Sequence, residues 1–158
     1  MTRICIFLAL AAALLLPACV SVDVDEAVLT PDVSHNTGQP IGGQTLPFSR
    51  AVRVGHTLYL SGELGIDPAT NELVPGGTGA ETTQIFHNYE RTLATYDADL
   101  SDLVKCTVFL GDMGDYAEMN AAYAAAVPDP KPARSTVGVS GLAFGAGLEI
   151  ECIAALPG

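Results

Sequence analysis

Between residues 50 and 155 the spacing of apolar side chains switches repeatedly between the two-residue period of a strand and the 3.6-residue period of a helix, which leaves few folds open. Ala51-Val52-Arg53-Val54 and Thr57-Leu58-Tyr59-Leu60-Ser61 are β-rich runs separated by Gly55-His56, a two-residue loop that closes a hairpin. Asp67-Pro68-Ala69-Thr70-Asn71 forms a second turn cluster. Residues 81–97 carry Ile85, Tyr89, Leu93 and Tyr96 at helical spacing, and Thr78 with Glu81 is placed as a capping box; these aromatics read as core. A strand is expected over 103–110. A second helix over 115–125 sets Tyr116, Met119 and Tyr123 on one face and stops before Pro128 and Pro130. Two closing strands, 134–139 and 148–155, are joined through Gly141, Gly145 and Gly147. The order β-β-α-β-α-β-β, with no internal repeat, indicates an α+β domain in which two helices pack on one face of a mixed sheet. The last strand mixes apolar Ile150, Cys152 and Ala154 with Glu149, Glu151 and Ile153. The sheet face without helices is therefore either wet or covered by another subunit, and oligomerisation is the more economical answer.

A length of 158 residues leaves room for one such domain and a leader. Residues 1–3 are short and positive, 4–16 are continuously apolar, and Leu16-Pro17-Ala18-Cys19 follows. The apolar run is too short for a membrane span of about 20 residues. It resembles a lipoprotein signal cleaved before Cys19, whose acyl chains would anchor the protein. The expected organisation is thus a signal over 1–18, a flexible acidic Gly- and Pro-containing tether over 19–45, and a folded domain over 46–158. This address places the protein in the cell envelope, facing the periplasm and touching the membrane only through its N-terminal lipid; a soluble secreted or periplasmic form is the alternative.

The 7 Lys and Arg residues against 18 Asp and Glu give a net charge of −11, which argues against a nucleic-acid partner and leaves no polybasic patch for anionic lipid. An anionic ligand has to be held by one or two well-placed arginines working against the overall field. His35, His56 and His87 stand far apart and there is no CxxC, so no metal site is expected. Cys106 and Cys152 lie in strand-like apolar runs and read as buried free thiols rather than a disulfide.

Pro132-Ala133-Arg134-Ser135-Thr136-Val137, followed after the Gly-rich connection by Leu148-Glu149-Ile150, is similar to the signature of the RidA (YjgF) family. Further matches are Ala51-Val52-Arg53-Val54-Gly55, Leu58-Tyr59-Leu60-Ser61-Gly62, Gly65-Ile66-Asp67-Pro68, and Leu103-Val104-Lys105 through Val108-Phe109-Leu110. The resemblance spans the whole expected domain. It implies a chorismate-mutase-like fold assembled as a homotrimer, with sites in the clefts between subunits. It also implies hydrolysis of 2-aminoacrylate-like enamines, as their 2-imino acid tautomers, to 2-keto acids and ammonia. That reaction asks the protein to hold an α-carboxylate, place a water and move a proton, and needs no metal or organic cofactor.

Carried onto this sequence, the resemblance makes Arg134 and Glu149 the catalytic pair. Arg134 is expected to grip the substrate carboxylate through its guanidinium fork, with an inter-subunit salt bridge as the competing role. Glu149 is expected to activate water, unless it is a solvated strand carboxylate like its neighbour Glu151. Ser61 and Asn120 match pocket-lining positions, although both residue types also bond local backbone. Phe48 stands where the best-studied members carry Tyr, Thr136 where they carry Cys, and Glu63 where Gln is frequent; Phe48 and Thr136 are placed in the substrate pocket. Two readings follow: a deaminase of reactive imines, or a non-catalytic envelope module that binds a small carboxylate or metabolite in the same cleft. Arg134 and Glu149 at family spacing support the first, which is the reading adopted; the departures at positions 48 and 136 and the envelope address motivate the second.

Overall fold

The computed structural model describes residues 31–38 and 46–157. Its elements run β1 (Val33–Asn36), β2 (Ala51–Val54), β3 (Thr57–Leu64), β4 (Ile66–Asp67), β5 (Glu72–Leu73), α1 (Gly77–Leu93), β6 (Leu103–Leu110), α2 (Tyr116–Ala126), β7 (Ala133–Gly138) and β8 (Leu148–Ala155). Six strands form one sheet in the order β1-β2-β3-β8-β6-β7, and β4 with β5 forms a separate small hairpin. All neighbours in the main sheet are antiparallel except β6 and β7, so the sheet is mixed, with two helices packed on it, as the residue periods require.

The two faces follow from strand alternation. Along β8, Leu148, Ile150, Cys152 and Ala154 are buried while Glu149, Glu151, Ile153 and Ala155 are half-buried or exposed. The buried row joins Leu58, Leu60, Cys106, Val108 and Leu110 beneath Ile85, Phe86, Tyr89 and Leu93 of α1 and Met119 and Tyr123 of α2. Each large apolar side chain so buried contributes about 1.5–3 kcal/mol. The opposite face carries Tyr59 at 49% exposure and Val137 at 44%.

Local chemistry moves several boundaries away from expectation. Helix α1 begins at Gly77, earlier than residue 81, because Gly76 and Gly77 take positive φ (116° and 78°) and turn the chain into the helix; the N-cap Gly76 has no side chain to offer, and the Glu118 carboxylate of the second helix accepts the first-turn Gly79 N–H at 3.0 Å. The capping box at Thr78 and Glu81 is therefore not formed. Glu81 instead accepts the Gly147 N–H at 3.0 Å and ties α1 to the β7–β8 connection. The helix closes at Leu93 into a 3-10 turn, and Asp97 at φ 54° ends it. Helix α2 starts at Tyr116 behind a 3-10 turn over Met113–Asp115. Within the expected tether, Val33–Asn36 pairs along β2, supplying partners to backbone groups that would otherwise line an open sheet edge. The remainder of the segment 19–45, apart from 31–38, lies outside the described residues.

The expected free thiols are also corrected, since Cys106 and Cys152 form a disulfide. They occupy directly opposed positions on β6 and β8, with Cα atoms 4.1 Å apart, close to the narrow pairing of antiparallel strands. Cross-strand register decides this contact, and the two local sequences do not reveal it. The bridge closes a separation of 46 residues, for which chain-entropy reasoning gives a stabilisation of up to about 4 kcal/mol. Intact-mass measurement without reductant should find the pair oxidised, and Cys106→Ala/Cys152→Ala should lower the unfolding free energy by about 2–4 kcal/mol. Two titratable thiols in the native protein would contradict the pairing.

Candidate functional site

Arg134 is the second residue of β7, an edge strand, opposite Cys106 of β6. Because Cys106 faces the helices, so does Arg134, and its guanidinium lies against α2. One nitrogen, Nη2, donates to Asn120 Oδ1 at 2.7 Å and to the Tyr116 hydroxyl at 3.1 Å. The cation also sits 4.5 Å from the Tyr123 ring centre and 5.9 Å from that of Tyr116. Residues 116, 120 and 123 share one face of α2 through their three- and four-residue spacing. No carboxylate pairs with Arg134 among the described residues, and its Nη1 and Nε hydrogens have no partner there. A planar cation held by an amide and two rings, with donors to spare, is pre-organised for an acid. Thr136 lies two residues along the same face of β7, with its hydroxyl oxygen buried and unpartnered, as is that of Tyr123.

Glu149 belongs to a different cluster. It sits on β8 at the parity opposite Cys152 and so projects from the helix-free face. Its carboxylate lies on Gly62 so closely that a Cβ there would fall 1.9 Å from Oε1. A β-bulge between Leu60 and Glu63 sets this arrangement. Ser61, in the bulge, donates its hydroxyl to the Ser49 carbonyl at 2.7 Å, the local backbone bond that serine readily makes. Phe48, next in chain to Ser49, is 52% exposed. Burial, and then the neighbouring Glu151, raise the Glu149 carboxyl above the ordinary glutamate range. Glu63 feels the Glu149 charge but points elsewhere. It turns to the helix side, where it pairs with Arg50 at 3.0 Å and accepts from Asn88 at 3.1 Å. Burial raises its pKa, and Arg50 and Asn88 work in the other direction.

The expected residues thus form two half-sites. Arg134, Asn120 and Thr136 share the helix side at the β7 edge, Ser61 and Glu149 lie about the bulge on the helix-free side, and Phe48 is exposed one residue before Ser49. Arg134 and Glu149 are not brought together within one chain. With β6 between their strands and a three-residue offset in register, their backbones are roughly 14 Å apart, on opposite faces. The sequence reading missed Tyr116 and Tyr123 as partners of Arg134; the only signal was their spacing with Asn120 on one helical face.

Residues 43–156 match the family model described as Endoribonuclease L-PSP. The chain belongs to this family, the RidA (YjgF) proteins. It is 42% identical over 115 residues to a 2-iminobutanoate/2-iminopropanoate deaminase of Dermatophagoides farinae, covering 73% of this chain and 87% of that protein. A RutC family protein of Pyrococcus horikoshii is 40% identical over 121 residues, covering 77% of this chain and 93% of the relative. The crystal structure of RidA from an Antarctic Psychrobacter superposes with a TM-score of 0.68 at 39% identity, covering 72% and 91% of the two chains. The α+β fold with two helices on the sheet is the one shared with these RidA structures.

These comparisons correct the cell-envelope location, anchored or soluble, expected from residues 1–18. The matching RidA relatives are archaeal, bacterial and eukaryotic proteins, and nothing in the match to them indicates a secreted or lipid-anchored protein. A short apolar run is a compositional signal of low specificity beside a family match over the whole domain. The segment 1–18 and Cys19 lie outside the described residues; among those described, no helix is long and apolar enough to cross a membrane.

The raised carboxyl of Glu149 has a pH signature. A carboxylate whose folded pKa exceeds its unfolded one contributes fully to stability below the unfolded value, and that contribution is lost as pH rises through the folded value. Glu149→Gln should therefore be more stable than the native protein above the ordinary glutamate range and converge with it in more acidic solution. Denaturant melts across that range test this; a constant difference at all pH values would contradict it.

Proposed function

We propose that this RidA-family chain hydrolyses 2-imino acids, the tautomers of reactive enamines such as 2-aminoacrylate, to 2-keto acids and ammonia. The observation that carries this reading is the Arg134 guanidinium, fixed by Asn120 and two aromatic rings yet with unpartnered donors. Some relatives at about 40% identity are named 2-iminobutanoate/2-iminopropanoate deaminases, including those of mouse and cattle. Arg134 holds the substrate carboxylate. Glu149, with its pKa raised towards working pH, takes a proton from water as the oxygen bonds to the imine carbon, and returns it to the nitrogen. Glu149 then takes the hydroxyl proton of the resulting amino alcohol and passes it to the nitrogen as the carbon–nitrogen bond breaks, so that ammonia leaves and the carbonyl of the keto acid forms. Phe48 and Thr136 line the pocket, and Ser61 positions the bulge beside Glu149.

The two halves of this site meet across a subunit boundary, in a closed homotrimer where Arg134 of one copy faces Glu149 of the next. Separation of the pair on opposite sheet faces supports this assembly, because one chain alone does not join them. The family model's description names a ribonuclease; a net charge of −11 with 7 basic residues opposes RNA binding, and the acid-gripping arginine suits a small metabolite.

With freshly generated 2-iminobutanoate, the native protein should accelerate keto-acid formation, and Arg134→Ala should cut kcat/KM about a hundredfold or more. Equal rates for the two proteins would refute the assignment. Arg134→Ala and Glu149→Gln subunits, each inactive alone, should on mixing and reassembly recover roughly a quarter of native activity, the share of clefts with both native residues in a ring. No recovery in verified mixed oligomers would place both residues in one subunit's site.

A further inference from the structure

Among the side chains around Arg134, Tyr116 has a capacity that the roles given above do not use. Its hydroxyl accepts from Arg134 Nη2 at 3.1 Å but donates to nothing among the described residues. At 40% exposure the residue is open to a ligand, unlike the other aromatic partner of the cation, Tyr123, which is 3% exposed. A phenol that accepts from a cation is polarised, so its own O–H becomes a stronger donor. Both hydrogens of Nη2 are engaged, one by Tyr116 and one by Asn120, which leaves Nη1 and Nε for an incoming anion. Each Nη2 hydrogen shares its side of the planar guanidinium with a hydrogen of either Nε or Nη1, so one of these free donors adjoins the Tyr116 oxygen, and an anion oxygen on that donor meets the free phenol proton.

We propose that Tyr116 is a second acid-binding residue of this site, its hydroxyl donating to the carboxylate that Arg134 holds. This deepens the imino-acid reading above and rests on it. The acid is then gripped by a cation and a neutral phenol together. In a protein of strong net negative charge, a neutral donor adds affinity without requiring another cation. Asn120, whose side-chain oxygen accepts from the same guanidinium at 2.7 Å, keeps it in place when the phenol is removed.

The test is Tyr116→Phe in the full-length oligomer, with calorimetric binding of 2-oxobutanoate and of its uncharged amide. Loss of one hydrogen bond to a charged group should weaken 2-oxobutanoate about tenfold and leave the amide unchanged. A crystal structure of the variant should show Arg134 still on Asn120. Unchanged affinity for the acid overturns the proposal, as does a loss accompanied by Arg134 leaving Asn120, which would make Tyr116 only a support. If the native protein binds no 2-keto acid at all, both this inference and the imino-acid reading fall; equal binding by native and variant proteins removes this inference alone.

Discussion

The bulge in β3 governs where the chemistry sits. In a regular ladder continuing from the Leu60–Cys152 pair, Gly62 would face Ile150 and Glu63 would stand directly opposite Glu149, two carboxylates on one sheet face. The extra residue moves Glu63 opposite Ile150 and onto the helix side, where Arg50 and Asn88 receive it. Gly62 is left beneath the Glu149 carboxylate, at a distance no Cβ would tolerate. A buried phenol holds the bulge: the Tyr89 hydroxyl reaches the carbonyls of both Ser61 and Ile150. Burial above all, together with the nearby acids Glu63, Glu151 and Glu149, keeps the proton on that oxygen. One tyrosine from α1 thus fixes the register of two strands and the environment of two glutamates.

Strand alternation then imposes the larger consequence. Glu149 projects away from the helices and Arg134 towards them, with β6 between. Under the proposed function, one side of such a chain binds the acid and the other handles the proton, and the proposed trimer joins them; the apolar, partly exposed Tyr59 and Val137 on the helix-free face are in keeping with a covered surface.

Much of the fold was legible because it depends on local periodicity. Strands β6 and β8 coincide with their apolar runs, and Ile85, Tyr89 and Leu93 face the core as their helical spacing requires. What escaped was decided by tertiary contacts. Glu81 has the position of a capping residue but finds the Gly147 amide, and Val33–Asn36 has the composition of a tether but finds an open sheet edge. The Cys106–Cys152 bridge depends on register between strands far apart in sequence. The signature around Arg134 and Glu149 identified those residues without telling that they lie on opposite faces. Tyr116 and Tyr123 looked like one apolar helical stripe, and only packing against β7 showed that a cation lies across them.

The shared site is tested most directly by a crystal structure of the oligomer soaked with 2-oxobutanoate. The expected result is one ligand whose carboxylate lies on Arg134 of one copy and whose carbonyl carbon faces Glu149 of a neighbouring copy. A ligand bound at Arg134 with every Glu149 of the assembly remote from its carbonyl would contradict the arrangement.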